Sequence, residues 1–355
     1  MANPFVSVLI DTYNHERFIE EAIISVLEQD FPASEREIIV VDDGSTDRTP
    51  EIVRKFEPRV RLLRKENGGQ ASAFNVGIPE CKGEIVAFLD GDDWWAPGKL
   101  KEVCRVLAED QDIGLVGHGI TEVYTDGREH TELLRETPRF RINSEAGAVL
   151  FRLRKSFLGT SRMTFRTEVL RRIGPVPEAL RIEADEYLFT LGAVLADVFI
   201  LRQSLTFYRL HESNAFLVAN GNMEAVRRKQ TVLSALAESL RDRFKEMGLA
   251  RRAASIAVDS VQTESDLIRL TMENGWPQET LRAELQNYRI MHKDASVFHW
   301  VFKCIALLPA CVLPSQVYYS LRHRISGSGL YRRAREKWLP FPDPTHVDRS
   351  RTTRL

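Results

Sequence analysis

Short apolar runs alternate with segments of helical periodicity along the first third of the chain. Four apolar runs predict buried strands, namely Val6–Ile10, Ile38–Val41, Val60–Leu63 and Ile85–Leu89. Between and after these runs, apolar residues recur every three or four positions, which predicts helices over Glu16–Gln29, Thr46–Phe56, Ala71–Val76 and Lys99–Leu107. Strands that alternate with helices in this way predict an α/β fold with a doubly wound sheet.

The pattern becomes mixed beyond about residue 115 and helical beyond Asn220. Strands are predicted over Gly114–Val123 and Phe199–Leu210, and helices over Thr167–Ile173 and Asp185–Ala196. An apolar stripe from Met223 to Met247 predicts a long helix, and further helices are expected over Ala250–Met272 and Gln278–Met291. The fold class expected is therefore a mixed α/β sheet with a helical C-terminal extension.

The composition excludes some classes of protein. The 355 residues include 49 lysines and arginines against 50 aspartates and glutamates, with a formal net charge of -1. A balanced charge argues against a generally basic nucleic-acid-binding protein, so no nucleic-acid partner is expected. The four cysteines show no zinc-site spacing, and the N-terminus has no secretory signal pattern. We expect reduced thiols and a cytoplasmic location.

Acidic side chains follow three of the predicted strands. Asp11 ends the first, Asp42 and Asp43 end the second, and Asp90-Gly91-Asp92-Asp93 follows the fourth. In doubly wound sheets, ligands bind beyond the carboxyl ends of the strands. Clustered carboxylates repel each other unless a cation neutralises them, and Mg²⁺ or Mn²⁺ with a diphosphate would do so. The alternative is a solvated acidic turn that caps the next helix.

Two further segments lie at the same predicted edge. Tyr13 could stack on a nucleobase, and Asn67-Gly68-Gly69 offers backbone N–H groups near a helix start, which suits phosphate or ribose. Taken alone, the Tyr13 segment is more typical of an ordinary helix cap and turn, and a lone pair of glycines is weak evidence for a binding site.

Together these segments resemble the N-terminal half of family 2 glycosyltransferases in order and spacing. The resemblance rests on Ser7–Asn14, Val40–Asp47, Asn67–Gly69 and Phe88–Trp94. It implies a GT-A fold, a nucleoside-diphosphate sugar donor, a divalent metal ion and inversion at the anomeric carbon. By position, Asp11, Tyr13 and Asp43 would line the base pocket, Asn67 and Gly68 would contact the nucleotide sugar, and Asp90 and Asp92 would hold ribose, diphosphate and metal.

The acceptor side of the site is expected near residue 185. Glu183-Ala184-Asp185-Glu186 resembles the acidic motif at the start of a helix in this family. Asp185 is the expected catalytic base and Glu186 the second candidate, with helix N-terminal charge as the alternative role. Tyr208-Arg209-Leu210-His211 also resembles a family segment. There Arg209 could neutralise phosphate and His211 could bind the metal, or His211 could be structural.

An uncharged segment, Cys304–Leu321, lies near the C-terminus. Its length approaches the ~20 residues of a bilayer span, but Pro309 and Pro314 argue against a straight helix. Aromatic residues and arginines flank it in the sequence, which suits helices lying in a membrane interface. The alternatives are a helical subdomain packed on the catalytic domain and a homo-oligomer interface.

The sequence predicts an inverting glycosyltransferase at the inner face of the cell membrane. Its acceptor would be a polysaccharide or lipid-linked glycan of the cell envelope. The predicted regions are a catalytic domain over 1–215 (nucleotide-sugar-binding half 1–110, acceptor half 111–215), a helical subdomain over 216–295, membrane-associating helices over 296–338 and a disordered tail over 339–355. One alternative is a non-catalytic sugar-nucleotide-binding or scaffold protein. Another is a nucleotidyltransferase, which should have a loop rich in glycine and basic residues directly after the first strand.

Overall fold

The computed structural model describes residues 4–131, 134, 136–211, 223–273, 275–291, 297–318 and 321. The chain divides into a first compact unit that runs to Leu217 and a second unit from Val218 to Pro344. The finer division into donor and acceptor halves and C-terminal regions stays a prediction. The tail predicted over 339–355 lies outside the described residues.

The first unit is built on a sheet in which ten strands are described. They are β1 Val6–Thr12, β2 Arg36–Asp42, β3 Arg61–Arg64, β4 Ile85–Asp90, β5 Trp94–Trp95, β6 Ile113–Val123, β7 Glu129–Thr131, β8 Arg139–Phe140, β9 Thr164–Arg166 and β10 Asp197–Arg209. The order across the sheet is β3-β2-β1-β4-β9-β6-β10-β5, with β7 beside β6 and β8 beside β10.

The sheet is mixed, as the fold-class prediction expected. Strands β3, β2, β1 and β4 are parallel neighbours, whereas β9 lies antiparallel to both β4 and β6. Strand β5 is antiparallel to β10, which itself runs parallel to β6. The sequence pattern missed β5, β7, β8 and β9, because strands of two or three residues are too short to show periodicity.

Helices cover both faces of the parallel half of the sheet. The helices of this unit are α1 Ile19–Leu27, α2 Thr49–Arg54, α3 Gln70–Gly77, α4 Lys99–Glu109, α5 Glu145–Arg154, α6 Thr167–Ile173 and α7 Ala184–Leu195. Val8 and Ile10 of β1 share one core with α1, α2 and α4. On the other face Phe74 of α3 meets Phe88 of β4 edge to face, with ring centroids 5.2 Å apart. Burial on both faces explains why these strands read as continuous apolar runs.

The second unit is helical in its described part. It contains α8 Met223–Glu246, α9 Arg251–Glu273, α10 Gln278–Met291 and α11 Val297–Leu307. Leu233, Ala237 and Leu240 of α8 are buried, as the apolar stripe predicted. Within the described residues, no helix combines the length and apolar character needed to cross a bilayer.

Candidate functional site

Strand register brings the acidic ends of β1 and β4 together. Asp11 at the end of β1 lies directly opposite Asp90 at the end of β4. The N–H of Gly91 donates to the carbonyl of Asp11 at 2.9 Å, which joins the two strand ends. On the other side of β1, Thr12 lies opposite Asp42 of β2. The polar strand ends therefore share one edge of the sheet.

Three carboxylates cluster where β4 ends. One ligand oxygen from each of Asp90, Asp92 and Asp93 lies within 4.8 Å of the others. Ser161 Oγ accepts the N–H of Asp90 at 3.0 Å and donates to Asp93 Oδ2 at 2.6 Å. The N–H of Arg209 on β10 donates to Asp93 Oδ1 at 3.0 Å. The turn is thus fixed by two distant segments, with Asp93 as its anchor.

The pKa values of the carboxyl groups at this edge are shifted in opposite directions. Burial, reinforced by neighbouring aspartates, raises the pKa of Asp11 to about 8 and the pKa of Asp90 well above its ordinary value. Burial would also raise the pKa of Asp92, but the hydrogen bond with His211 and the charge of His15 lower it. The Nε2 atoms of His211 and His15 lie 3.0 and 3.7 Å from Asp92 Oδ2.

This donor set suits a hard divalent cation. Mg²⁺ and Mn²⁺ prefer carboxylate oxygen, and His211 adds an imidazole that Mn²⁺ accepts. Asp11 Oδ1 is buried and has no hydrogen-bond partner. An orphaned buried oxygen is costly unless a ligand or ion completes the site. Residues Asp90, Asp92 and Asp93 could therefore hold a metal ion.

Arg209 supplies positive charge beside the acidic turn. Its guanidinium lies over the rings of Trp94 and Phe18, at 4.4 and 4.8 Å from the centroids. Its Nε donates to the carbonyl of Asp92 at 3.1 Å, and its NH2 group pairs with Glu21. Stacking between two aromatic rings restricts the side chain and keeps its charge near the turn.

Asp43 organises the glycine turn predicted to contact the nucleotide. Its carboxylate accepts the N–H groups of Gly68 and Gly69 at 2.9 and 2.7 Å, and the Asn67 amide at 3.1 Å. Lys65 Nζ lies 2.7 Å from Asp43 Oδ1. Both carboxylate oxygens therefore face this turn. An open cleft of about 640 Å³ lies beside it, lined by Gly44, Arg64, Lys65, Glu66 and Asn67.

Asp185 stands at the start of α7. Its Oδ2 accepts the N–H and the hydroxyl of Thr160 at 3.0 and 3.1 Å, and its Oδ1 accepts the N–H of Glu186 at 2.8 Å. Burial and the charge of Glu186 raise the pKa of Asp185, although the Thr160 hydrogen bonds oppose this. The charge of Asp185 in turn helps to raise the pKa of Asp11. Glu186 forms an ion pair with Lys155 instead.

The sequence-predicted residues thus lie in three groups. Asp11, Asp90, Asp92, Arg209 and His211 surround the acidic turn. Asp43, Asn67 and Gly68 form the glycine turn, and Tyr13, which is 43% exposed, follows the end of β1. Asp185 and Glu186 begin α7. The individual roles assigned to these residues stay predictions.

Sequence reasoning missed four side chains that shape the site. His15 could have been noticed, because it follows Asp11 closely in the first motif. Gln70 adjoins the glycine turn but carries no chemical signal by itself. Thr160 and Ser161 lie in a short segment without periodicity, and only the fold brings them to the carboxylates.

Comparisons with known proteins show the family to which the chain is similar. The model of the family described as Glycosyl transferase family 2 matches residues 7–174. The uncharacterized glycosyltransferase alr2836 of Nostoc sp. (strain PCC 7120) is 30% identical over 255 residues, which are 70% of this chain and 78% of that protein. The poly(ribitol-phosphate) beta-N-acetylglucosaminyltransferase TarS of Staphylococcus aureus is 39% identical over 107 residues, 29% of this chain but 19% of TarS.

Solved structures show the same fold. TarS 1-349 of S. aureus in complex with UDP-GlcNAc has a TM-score of 0.53 at 21% identity, over 81% of this chain and 90% of that one. The mannosyltransferase PcManGT of Pyrobaculum calidifontis, in complex with GDP-Man and Mn²⁺, has a TM-score of 0.50 at 22% identity, over 88% and 87%. These likenesses establish the mixed α/β sheet of GT-A glycosyltransferases. With the extended match to the Nostoc protein, the chain belongs to glycosyltransferase family 2.

Proposed function

We propose that this protein is a metal-dependent, inverting glycosyltransferase that uses a nucleoside-diphosphate sugar. The observation that carries the proposal is the presence of two kinds of carboxylate in one site. Asp90 and Asp92 belong to a cluster suited to a cation, whereas Asp185 stands apart, held by Thr160 and by the N–H of Glu186. Inverting transfer needs this division, because leaving group and nucleophile act on opposite faces of the sugar.

Each group has its own task in this proposal. A bound Mg²⁺ or Mn²⁺ would neutralise the diphosphate as it leaves. Asp90, Asp92 and His211 would hold that ion, and Arg209 would add positive charge beside it. Asp185 accepts the proton of the attacking acceptor hydroxyl.

The donor is held by the remaining predicted residues. Asn67, which lines the open cleft, and Gly68 lie next to the nucleotide, and their hydrogen bonds to Asp43 fix the turn that contacts it. Tyr13 stacks on the base, and Asp11 takes a hydrogen bond with its free oxygen. The ring of Tyr13 is exposed enough to do so. The relatives named with UDP-GlcNAc and GDP-Man support a nucleotide-sugar donor of this kind.

We propose a cell-envelope glycan, either a polysaccharide or a lipid-linked intermediate, as the acceptor. Its support is the similarity to TarS, whose name describes transfer to poly(ribitol-phosphate). An acceptor at the membrane surface would also explain why the C-terminal helices bind the membrane.

We propose that these helices lie on the inner face of the cell membrane. Val297, Val301, Ile305, Leu308 and Val312 recur at helical spacing and are each between 50% and 79% exposed. Exposed apolar residues in such a stripe are typical of interfacial helices. Flotation with anionic phosphatidylglycerol vesicles should recover the protein, and an Ile305→Asp variant should remain unbound. Equal recovery of both, or dimerisation through this face without vesicles, would contradict the membrane role.

The experiment that tests the catalytic proposal begins with a donor screen. Thermal shifts with UDP-, GDP-, dTDP- and CDP-sugars and Mn²⁺ should identify a stabilising donor, because a ligand of the folded state raises apparent stability. Release of the nucleoside diphosphate from that donor is then measured, with water as the basal acceptor. Excess EDTA should abolish it, and full activity in EDTA would remove the metal from the mechanism.

Variants then locate the base. Asp185→Asn should bind the donor normally and lose turnover, whereas Asp30→Asn, at an exposed residue paired with Lys101, serves as the surface control. Unchanged turnover in Asp185→Asn together with inactivity of Glu186→Gln would move the base to Glu186.

A further inference from the structure

A short chain of hydrogen bonds connects the glycine turn to Asp185. Gln70 Nε2 donates to Thr160 Oγ1 at 3.0 Å, and Thr160 Oγ1 donates to Asp185 Oδ2 at 3.1 Å. Gln70 Oε1 accepts the N–H of Ala184 at 3.0 Å. None of these contacts is local, since 90 residues separate Gln70 from Thr160.

The direction of each of these hydrogen bonds follows from which atoms can donate a proton and which can only accept one. The N–H of Ala184 can only donate, so it requires the oxygen of the Gln70 amide and turns the amide nitrogen towards Thr160. A hydroxyl carries one proton. Because Gln70 donates to the Thr160 oxygen, that proton is left for Asp185.

The backbone of Gln70 is held just as firmly. Its N–H donates to the carbonyl of Arg181 at 2.9 Å. Gly69, directly before it, packs so closely on Arg181 that an added Cβ would lie 2.6 Å from the Arg181 Cα. Gln70 therefore joins the turn that Asp43 organises to the segment that leads into α7.

We propose that Gln70 and Thr160 are positioning residues that hold the Asp185 carboxylate for proton transfer from the acceptor. Two donors from Thr160 occupy Oδ2 and one from Glu186 occupies Oδ1. A carboxylate has about four lone-pair positions, so one position on Oδ1 is left for the acceptor hydroxyl. This inference rests on the proposed function, because it takes Asp185 as the base.

Variants that change single atoms test the inference. Thr160→Val removes the hydroxyl but keeps the shape and the backbone N–H. Gln70→Glu keeps the shape but replaces the donor to Thr160 with a second acceptor, which competes with Asp185 for the hydroxyl proton. Each should lower kcat for donor turnover about 10- to 100-fold, as expected for a lost hydrogen bond to a charged group.

Donor binding separates positioning from general damage. The Kd and KM for the donor should stay within about twofold in both variants, because neither side chain is assigned to donor binding. Thr160→Ser restores the hydroxyl without the methyl group and should recover most of kcat. If Thr160→Val folds poorly, Gln70→Glu and Thr160→Ser decide the question by themselves.

Three results would overturn the inference. They are near-normal kcat in both Thr160→Val and Gln70→Glu, a change confined to the donor KM, and a Thr160→Ser variant as poor as Thr160→Val. If Asp185→Asn is inactive while these variants are normal, only the positioning role falls. If Asp185→Asn is active as well, the base assignment falls with it.

Discussion

Binding of Mn²⁺ to the acidic turn should release protons, and its affinity should therefore depend on pH. In the metal-free protein Asp90 has a pKa well above its ordinary value, because it is buried beside Asp11 and Asp92. Asp90 therefore keeps its proton to a higher pH than an ordinary carboxyl group, whereas His211 and His15 lower the pKa of Asp92. A carboxyl group must lose its proton before it binds a metal ion.

The expected magnitude follows from counting these protons. Each proton that the ion displaces from Asp11 or Asp90 makes the affinity rise about tenfold per pH unit. Asp11, with a pKa of about 8, is protonated at about pH 7. A nearby dication favours its ionised form, so between about one and two protons should leave in all.

The raised pKa of Asp11 also determines how the stability of the folded protein changes with pH. The pKa of Asp11 is raised on folding from 3.8 to about 8. Its contribution to stability is therefore fully present below about pH 4 and is lost as the pH rises towards 8, by about 1.4 kcal/mol per pH unit. A cation that stabilises the ionised form offsets this loss, so the thermal shift caused by Mn²⁺ should grow from about pH 6 to 8.

Isothermal titration calorimetry in two buffers of different ionisation enthalpy measures the protons directly. Repeating the titration at about pH 6.5 and 7.5 gives the slope of affinity. Asp92→Asn should abolish binding, and Asp30→Asn should behave as the unaltered protein. No proton release together with a pH-independent affinity would show that neither Asp11 nor Asp90 loses a proton on binding, and the reasoning from their raised pKa values would be wrong.

Three substitutions probe the scaffold of the site. Gly69→Ala should lose about 3 kcal/mol of stability and weaken donor binding, because its φ of +86° is strained for alanine and its Cβ would lie 2.6 Å from Arg181. The control Gly98→Ala, at φ +83° in open space, should lose only about 1 kcal/mol. Equal losses of stability in chemical denaturation would contradict the role of the Arg181 contact. Asp43→Asn should lower the stability of the fold by about 1–3 kcal/mol and raise the donor Kd, since one amide oxygen cannot accept all the donors of the glycine turn. An unchanged Kd by calorimetry would show that the glycine turn does not contribute to donor binding. Phe88→Ala should lower the free energy of unfolding in urea by about 3–5 kcal/mol, because its ring is fully buried between α3 and β9. A loss below about 1 kcal/mol would mean that neighbouring core side chains move into the space.

The parallel half of the sheet could be predicted from sequence because its physics is local. Strands buried on both faces appear as apolar runs, and the acidic residues that end them mark the edge where ligands bind. β1 and β4 begin within a residue of their predicted positions, and register then places Asp11 opposite Asp90 without further assumptions. The helices α6 and α10 also agree with their predicted bounds.

The acceptor half depends on contacts that no local pattern records. Thr160 and Ser161 lie in a 3-10 helix of only three residues, Thr160–Arg162, yet they hold Asp185 and Asp93, respectively. Their partners are 25 and 68 residues away in the sequence. A single hydroxyl residue in so short a segment produces no periodic pattern in the sequence. Its role follows only from the residues that the fold places beside it.

The acidic turn itself shows how far residue type falls short of function. Asp90, Asp92 and Asp93 are nearly adjacent and chemically identical, but the fold gives each different partners. Both oxygens of Asp93 already accept hydrogen bonds, from Ser161 and from the N–H of Arg209, so a cation must compete with those donors to bind it. Asp92 instead faces the imidazoles of His15 and His211, which can move aside for a cation or bind it together with Asp92. Asp93 therefore anchors the turn, and in the proposed function Asp90 and Asp92 are the carboxylates available to a metal ion.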